Sequence, residues 1–205
     1  MKLHKIILIT FMLSGMTALI YEVVWTRPLQ LIFGSTIYAV STMLTTFFAG
    51  FALGSYLFRN LADRAKNPAV LFAALEFGIG IYGLIIFYLF GILSIINLSI
   101  PTVAGFQFLQ FTLIFLVLII PTTLFGATWP IVNKAYVEQN ELGKDVGLLY
   151  SFNSFGAFLG ALAAGFVLIP LLGIKTTIVA VAFLNILVAI VIFAYSRKKG
   201  GERGS

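Results

Sequence analysis

Residues 14–27 read SGMTALIYEVVWTR and lie inside a hydrophobic run from Ile6 to Phe33. A run of that length is a candidate transmembrane helix. It nevertheless contains Glu22, and a charge at the centre of a span costs at least about 2.5–3.5 kcal/mol on insertion scales. Gly15, Ala18 and Glu22 share one face of a helix, and small residues there let a neighbouring helix approach. Glu22 is therefore predicted to point into a helix bundle rather than at lipid.

The composition excludes a soluble globular domain. Of the 205 residues, 60% are hydrophobic and 10% are charged, and the mean hydropathy is +1.07. Soluble domains have about 25% charged residues. The chain has no cysteine, which excludes a thiolate metal site and a cysteine nucleophile, and its single His4 lies in the charged N-terminal tip. The sequence therefore predicts no metal site, no cofactor and no enzyme activity.

Hydropathy and turn residues predict an all-α integral membrane protein with six transmembrane helices in a domain of residues 1–196. A cytoplasmic tail, residues 197–205, is expected to follow this domain. Pro170–Gly173 is read as a tight turn between the last two helices. Two three-helix repeats would have inverted topology, an arrangement common in transporters. The predicted spans are residues 6–31, 37–58, 69–96, 106–136, 146–169 and 174–195.

The distribution of Lys and Arg predicts the orientation in the membrane. With six spans, eleven of the 13 basic residues fall on the side that also holds both termini, while Lys175 lies on the other side and Arg27 near the end of the first span. The positive-inside rule then places both termini in the cytoplasm, and the plasma membrane is the expected location. This topology accounts for the net charge of +6. The lipid bilayer, and not a nucleic acid, is the expected partner.

Two pairs of glycines mark faces where helices could pack closely. Gly50 and Gly54 are four residues apart in the second span, as are Gly156 and Gly160 in the fifth. Such spacing lets two backbones approach. Together with the one-sided charge, these faces predict a parallel homodimer.

Polar residues within the spans are candidates for binding an ion or a substrate. Intramembrane carboxylates are expensive to keep, so Glu22 and Glu76 are predicted to bind protons or an organic cation. Helix spacing places Arg27 about 140° around from Glu22, so it is not expected to neutralise Glu22. Tyr21 and Trp25 are either core residues or walls of a cation site, and Asn153 is either a packing residue or a further ligand.

The segment after the second span resembles a loop motif of the major facilitator superfamily. In that motif a glycine on helix 2 is followed by an Asp-Arg pair and further basic residues. Gly54, Asp63, Arg64 and Lys66 are the counterparts here. The resemblance implies a cytoplasmic gate formed by Gly54, Asp63 and Arg64, and a six-helix fold that is half of a facilitator bundle.

A wider resemblance covers nearly the whole chain. The stretches that carry it are residues 14–56, Asn67-Pro68, residues 75–83, residues 124–130, and residues 147–173 with Tyr150, Asn153 and Gly156. They resemble the membrane domain of spermidine-synthase-like membrane proteins, whose members commonly continue into a soluble aminopropyltransferase domain that has no counterpart here. The resemblance implies a membrane fold and not an enzyme activity.

Two functions remain open from the sequence. The first is a half-size transporter or carrier, acting as a homodimer, for a small polyamine-like organic cation or for a proton-coupled solute. The second is a non-transporting membrane module that anchors a separately encoded soluble aminopropyltransferase. The carboxylates within the spans favour the first function, and the family resemblance is the basis of the second.

Overall fold

The computed structural model describes residues 2–99, 105–137 and 141–201, and these residues are almost entirely helical. Residues 100–104, between the third and fourth predicted spans, and the last residues of the tail lie outside the described residues. The helices are α1 (Lys2–Phe33), α2 (Thr36–Arg64), α3 (Pro68–Ser99), α4 (Phe106–Tyr136) and α5, a long bent segment from Leu142 to Gly201.

The prediction of six helices is wrong. In the described part of the chain, five helices are long and apolar enough to cross a membrane, and the fifth candidate span, Leu142–Arg197, contains both of the last two predicted spans. The half-facilitator fold and its two inverted repeats depended on the sixth helix and are given up with it. An all-α, multi-pass membrane protein is the description that stands.

The turn expected at Pro170–Gly173 is reduced to one non-helical residue, Gly173, within α5. The α-helix Leu142–Ala163 continues into a π-helical turn, Ala164–Leu168, and then into the segment Ile169–Gly201. Pro170 closely follows the π-helical turn and cannot donate a backbone hydrogen bond to it, so the regular α-helical bonding is already interrupted there. Gly173 has φ 75° and ψ 169°, a conformation that suits glycine, and it bends α5 into two limbs.

The two limbs of α5 pack on different neighbours. In the first limb, Gly156 lies against Met12 and Gly160 against Met16, so this limb runs parallel to α1. The second limb packs on α3 and runs antiparallel to it. Two hydrogen bonds show this direction. Asn67, just before α3, bonds to Ser196, and Glu76, further along α3, bonds to the earlier residue Asn185 of α5.

Helices α2 and α4 form the closest helix pair. Gly50 faces Thr122, and Gly54 faces the backbone of Thr123 and Ala127, so the two helices run parallel with their backbones nearly in contact. All four glycines of the predicted packing faces thus lie against helices of the same chain. The dimer contact predicted through these faces is therefore corrected, because no room remains there for a second copy.

The prolines of α4 free two backbone carbonyls, and neighbouring helices supply a donor to each. Pro121 cannot donate to Val117 O and Pro130 cannot donate to Gly126 O, because proline lacks the N–H that would reach four residues back. The Tyr82 hydroxyl of α3 donates to Val117 O at 2.6 Å, and the Ser55 hydroxyl of α2 donates to Gly126 O at 3.0 Å. In a membrane interior these carbonyls have no water to replace such donors.

Removal of the Tyr82 donor is expected to destabilise the bundle. Tyr82→Phe leaves Val117 O unsatisfied, which costs about 1–3 kcal/mol in the free energy of unfolding. Denaturant unfolding in detergent measures this loss. Tyr88→Phe is the matched control, because Tyr88 is an exposed side chain on the same helix. Equal stability of the two variants would show that Val117 O does not need the Tyr82 hydroxyl.

Candidate functional site

A fully buried carboxylate lies where α1, α3 and the second limb of α5 meet. Glu76 of α3 has no exposed surface. The Ser14 hydroxyl of α1 donates to Glu76 Oε1 at 2.5 Å, and the Asn185 amide of α5 donates to Glu76 Oε2 at 2.7 Å. Within the described residues only Lys144 and Glu141 form an ion pair, so Glu76 is held by neutral donors alone.

The hydrogen bonds around Glu76 close into a ring. Asn185 Nδ2 also donates to Thr17 Oγ1 at 3.0 Å, and the Thr17 hydroxyl donates to the backbone oxygen of Ser14 at 3.0 Å. Asn185 Oδ1 and the Tyr21 hydroxyl are buried and accept or donate no hydrogen bond among the described residues. The cluster therefore contains two buried polar atoms whose hydrogen-bonding positions its own members do not fill.

Helical spacing aligns the residues of the cluster. Ser14, Thr17 and Tyr21 lie at positions i, i+3 and i+7 of α1 and share a face. On α3, two glycines follow Glu76 on the same face: Gly80 lies against the backbone of Ala182, and Gly83 against the ring of Tyr21. The absence of side chains at these glycines lets α1 and α5 approach close enough for direct hydrogen bonds to Glu76.

The structure separates the predicted site residues of α1. Tyr21 and Trp25 are fully buried and stacked, with ring centroids 4.7 Å apart, so their faces pack against core side chains. Glu22 is half-buried, and its carboxylate forms no hydrogen bond or ion pair with any described residue, whereas Arg27 is exposed. No hydrogen bond joins Glu22 to Glu76. The five polar and aromatic candidates of α1 and α3 thus do not form one site.

Asn153 lies on the opposite side of α1 from Glu76. It is half-buried in the first limb of α5, donates to Phe11 O at 3.0 Å, and its side chain lies directly against Gly15. A cavity of about 30 Å³ lies beside it, between α1, α2, α4 and α5, and Ser14 also lines this cavity. Ser14 therefore lies between the Glu76 cluster and the Asn153 cavity.

The predicted gating residues lie in a helix rather than in a loop. Helix α2 continues to Arg64, six residues beyond its predicted end, so Gly54, Asp63 and Arg64 all belong to α2. Gly54 is buried against α4, whereas Asp63 and Arg64 are exposed in the last turn. Similarly, the predicted tail is helical as far as Gly201. The difference arises because charged residues at a membrane surface do not by themselves end a helix.

Two larger cavities lie away from Glu76. One, of about 330 Å³, is lined by aromatic and hydroxyl side chains near the start of α2 and of α4, including Tyr38, Ser41, Thr45 and Phe111. The other, of about 310 Å³, is an apolar groove between α3 and the second limb of α5. The first has the polarity and size to accept a small organic solute.

Sequence reasoning missed three members of the buried cluster. Ser14, Thr17 and Asn185 were not among the predicted site residues. The signal that could have revealed them is the spacing of two hydroxyls, three residues apart, on a helix that also presents glycine and alanine. Among the described residues no three His, Asp or Glu side chains gather to hold a metal ion. Chemically, the cluster can hold and release a proton.

Comparisons with known proteins add no assignment to this site. The chain matches no protein-family model, no curated protein and no solved structure. The family resemblances drawn from the sequence consequently stay proposals, and the functional argument depends on the geometry of Glu76 and its neighbours.

Proposed function

We propose that this protein is a membrane carrier that moves a small organic solute together with a proton, and that Glu76 binds the proton. The observation that supports this proposal is the fully buried Glu76 carboxylate, held by Ser14 and Asn185 without a basic partner. An uncompensated carboxyl inside a membrane is expensive and is typical of proton relays.

The hydrogen-bond partners of Glu76 can accommodate both of its protonation states. The ionised carboxylate accepts hydrogen bonds from Ser14 and Asn185, as described above. After protonation at Oε1, the carboxyl becomes a donor, and the Ser14 hydroxyl oxygen can accept this hydrogen bond. The Asn185 amide still donates to Oε2 in this state. The site therefore needs only a rotation of the Ser14 hydroxyl to exchange a proton.

The solute is proposed to be a small organic cation of the polyamine class. The cavity near the start of α2 presents Tyr38 and Phe111 together with the hydroxyls of Ser41 and Thr45, and aromatic faces attract organic cations. Glu22 is a half-buried carboxylate that has no partner among the described residues and could meet such a cation. We further propose that two copies form the working unit through exposed faces other than the glycine faces.

An uptake assay tests this proposal. Purified protein is reconstituted into liposomes that contain a pH-sensitive dye, and putrescine or spermidine is added outside with a radiolabel. Accumulation of the label together with a change in internal pH, both absent from protein-free liposomes, is the expected result. Uptake of the label without a pH change would show that transport is not coupled to protons. No uptake of any tested amine would show that amines are not the solute.

One observation favours the second candidate function, a membrane anchor for a soluble aminopropyltransferase. The cavity nearest Glu76 has a volume of only about 30 Å³, which is too small for an organic solute. A module with a closed interior would bind its enzyme partner at the exposed basic helix ends, such as those at Arg59 and Arg64. Co-purification of an aminopropyltransferase with the membrane protein, in the absence of amine uptake, would favour this function.

We propose that both termini lie in the cytoplasm and that the protein resides in the plasma membrane. The two limbs of α5 support this orientation. The first limb runs parallel to α1 and the second antiparallel to α3, so the chain returns to the side on which α1 begins. Most of the basic residues then lie on that side, as the positive-inside rule requires. Because the chain has no cysteine, Lys66→Cys and Lys175→Cys each create a single labelling site. In intact cells a membrane-impermeant maleimide is expected to label the Lys175→Cys variant and to leave Lys66→Cys unlabelled until the membrane is permeabilised. The reverse pattern would invert the topology.

A further inference from the structure

We propose that the cavity beside Ser14 is a binding site for one water molecule, and that Glu76 exchanges its proton through Ser14 and this water. The inference rests on the proposed proton-binding function of Glu76 and specifies the route that the proton takes. It draws on three features of the structure: the size and lining of the cavity, the position of Ser14, and the closed ring on the other side of Glu76.

The cavity has the size and polarity that a buried water requires. Its volume is about 30 Å³, and one water needs a cavity of at least about 10–15 Å³ together with two to four polar partners. Ser14, Thr128 and Asn153 line it with two hydroxyls and an amide. Thr128 donates its hydrogen to Phe125 O at 2.7 Å and Asn153 donates to Phe11 O at 3.0 Å, so the oxygens of both side chains can accept hydrogen bonds from water.

Ser14 connects this cavity to the carboxylate. It lines the cavity and also donates to Glu76 Oε1 at 2.5 Å. A hydroxyl has one donor and two acceptor positions, so Ser14 Oγ can accept a hydrogen bond from the water while it donates to Glu76. When a hydronium ion transfers a proton to Ser14 Oγ, the hydroxyl proton of Ser14 moves to Glu76 Oε1. Water and an unchanged Ser14 remain, and release follows the reverse order.

The other side of Glu76 offers no comparable route. Oε2 is bonded to Asn185, which leads to Thr17, and Thr17 donates to the backbone oxygen of Ser14. These three residues are buried, and the chain of hydrogen bonds ends at a backbone carbonyl of α1, which cannot pass a proton on. The titratable side chain that faces Glu76 from α1 is Tyr21, and its hydroxyl is itself unpartnered among the described residues. The second limb of α5 faces Glu76 with Asn185, which does not titrate.

Glu22 is the next ionisable group along the cavity-lining face of α1. Gly15 and Ala18 line the cavity, and Glu22 follows them at i+7 and i+4 on the same face. Its half-buried position places it between the cavity and the surroundings of the bundle. Glu22 does not line the cavity, so it is not part of the inferred relay, which ends at the water.

Infrared difference spectroscopy of the purified protein in lipid tests the route. The carbonyl band of protonated Glu76 is identified by its loss in Glu76→Gln, and its shift after transfer to D₂O gives the rate of proton exchange. Ser14→Ala removes the relay hydroxyl. The loss of this charge-assisted hydrogen bond raises the activation free energy of proton exchange, and the exchange is expected to slow at least about tenfold. Thr10→Ala is the matched control, because Thr10 is a buried hydroxyl one turn earlier that bonds only to its own helix.

A second variant keeps the test decisive if Ser14→Ala does not fold. Thr128→Val preserves the shape of the cavity wall but removes one partner of the water, and it is also expected to slow the exchange. Exchange at the wild-type rate in the folded variant, or the absence of a Glu76-dependent band at every pH at which the protein is folded, would overturn the inference. If proton exchange depends on Ser14 but the protein takes up no solute, the proposed function alone is contradicted. If Ser14→Ala keeps coupled uptake, the relay alone is contradicted.

Discussion

Glu76→Gln is expected to reduce amine-driven proton movement to the level of protein-free liposomes while the protein stays folded. The amide cannot ionise, so it removes the proposed proton site and little else. Its oxygen still accepts the Ser14 hydrogen bond, and its NH₂ group can donate to Asn185 Oδ1 after rotation of the Asn185 amide. Both hydrogen bonds of residue 76 are therefore kept, and loss of coupling would not reflect loss of structure.

The measurement combines the dye signal with radiolabel uptake in the same liposomes. Glu141→Gln is the matched control, because it makes the same chemical change at an exposed carboxylate that pairs only with Lys144 on the surface. Size-exclusion elution and thermal unfolding confirm that each variant is folded. If Glu76→Gln transports amine and protons as the wild type does, Glu76 is a packing residue and the proposed mechanism is wrong.

Gly54→Leu is expected to disrupt the contact between α2 and α4. Any side chain at this position must enter space occupied by Thr123 O and Ala127 N, which are backbone atoms and cannot rotate away. Overpacking of this kind costs about 3 kcal/mol, at the upper end of the usual range for added core volume. The separation of the helices would also break the hydrogen bond from Ser55 to Gly126 O. Gly126 O would then have no donor, because Pro130 has no N–H to offer.

Denaturant unfolding in detergent micelles measures this loss of stability. The control is Gly91→Leu on α3, because Gly91 is exposed and a side chain built there meets no atom within 4 Å. This control is expected to leave stability unchanged or to raise it, since leucine favours a helix more than glycine does. Comparable destabilisation by both substitutions would show that the effect comes from the leucine itself and not from the α2–α4 contact.

The sequence predicts the helical membrane class well because hydropathy is a local property. The number of helices was wrong because Pro170 and Gly173 together resemble a break. The chain passes these residues through a π-helical turn before Pro170 and one non-helical residue, Gly173, so the two predicted spans form one long bent segment. This outcome depends on three-dimensional packing of α5 against α1 and α3, which short-range patterns do not report.

The members of the candidate site were only partly predictable for a related reason. Glu76 was identified because a carboxylate within a span is conspicuous, but its partners are 62 and 109 residues away in the chain. A single sequence does not say which hydroxyl or amide meets which carboxylate. The glycine faces had the same ambiguity, since Gly50 and Gly156 indicate close packing without naming the helix that packs there. The structure assigns both faces to helices of the same chain.

The pairing of α2 with α4 constrains the order in which the bundle can assemble during synthesis. The glycine face of α2 reaches its final neighbour only after the ribosome has added the residues from Gly54 to Ala127. At the usual elongation rate of about 5–20 residues per second, that interval lasts roughly 4–15 s. Helix α3 emerges within it, yet α3 is not the partner of this face. The nascent α2 therefore waits beside lipid or the insertion machinery with its backbone uncovered, and the bundle cannot form by adding one hairpin at a time.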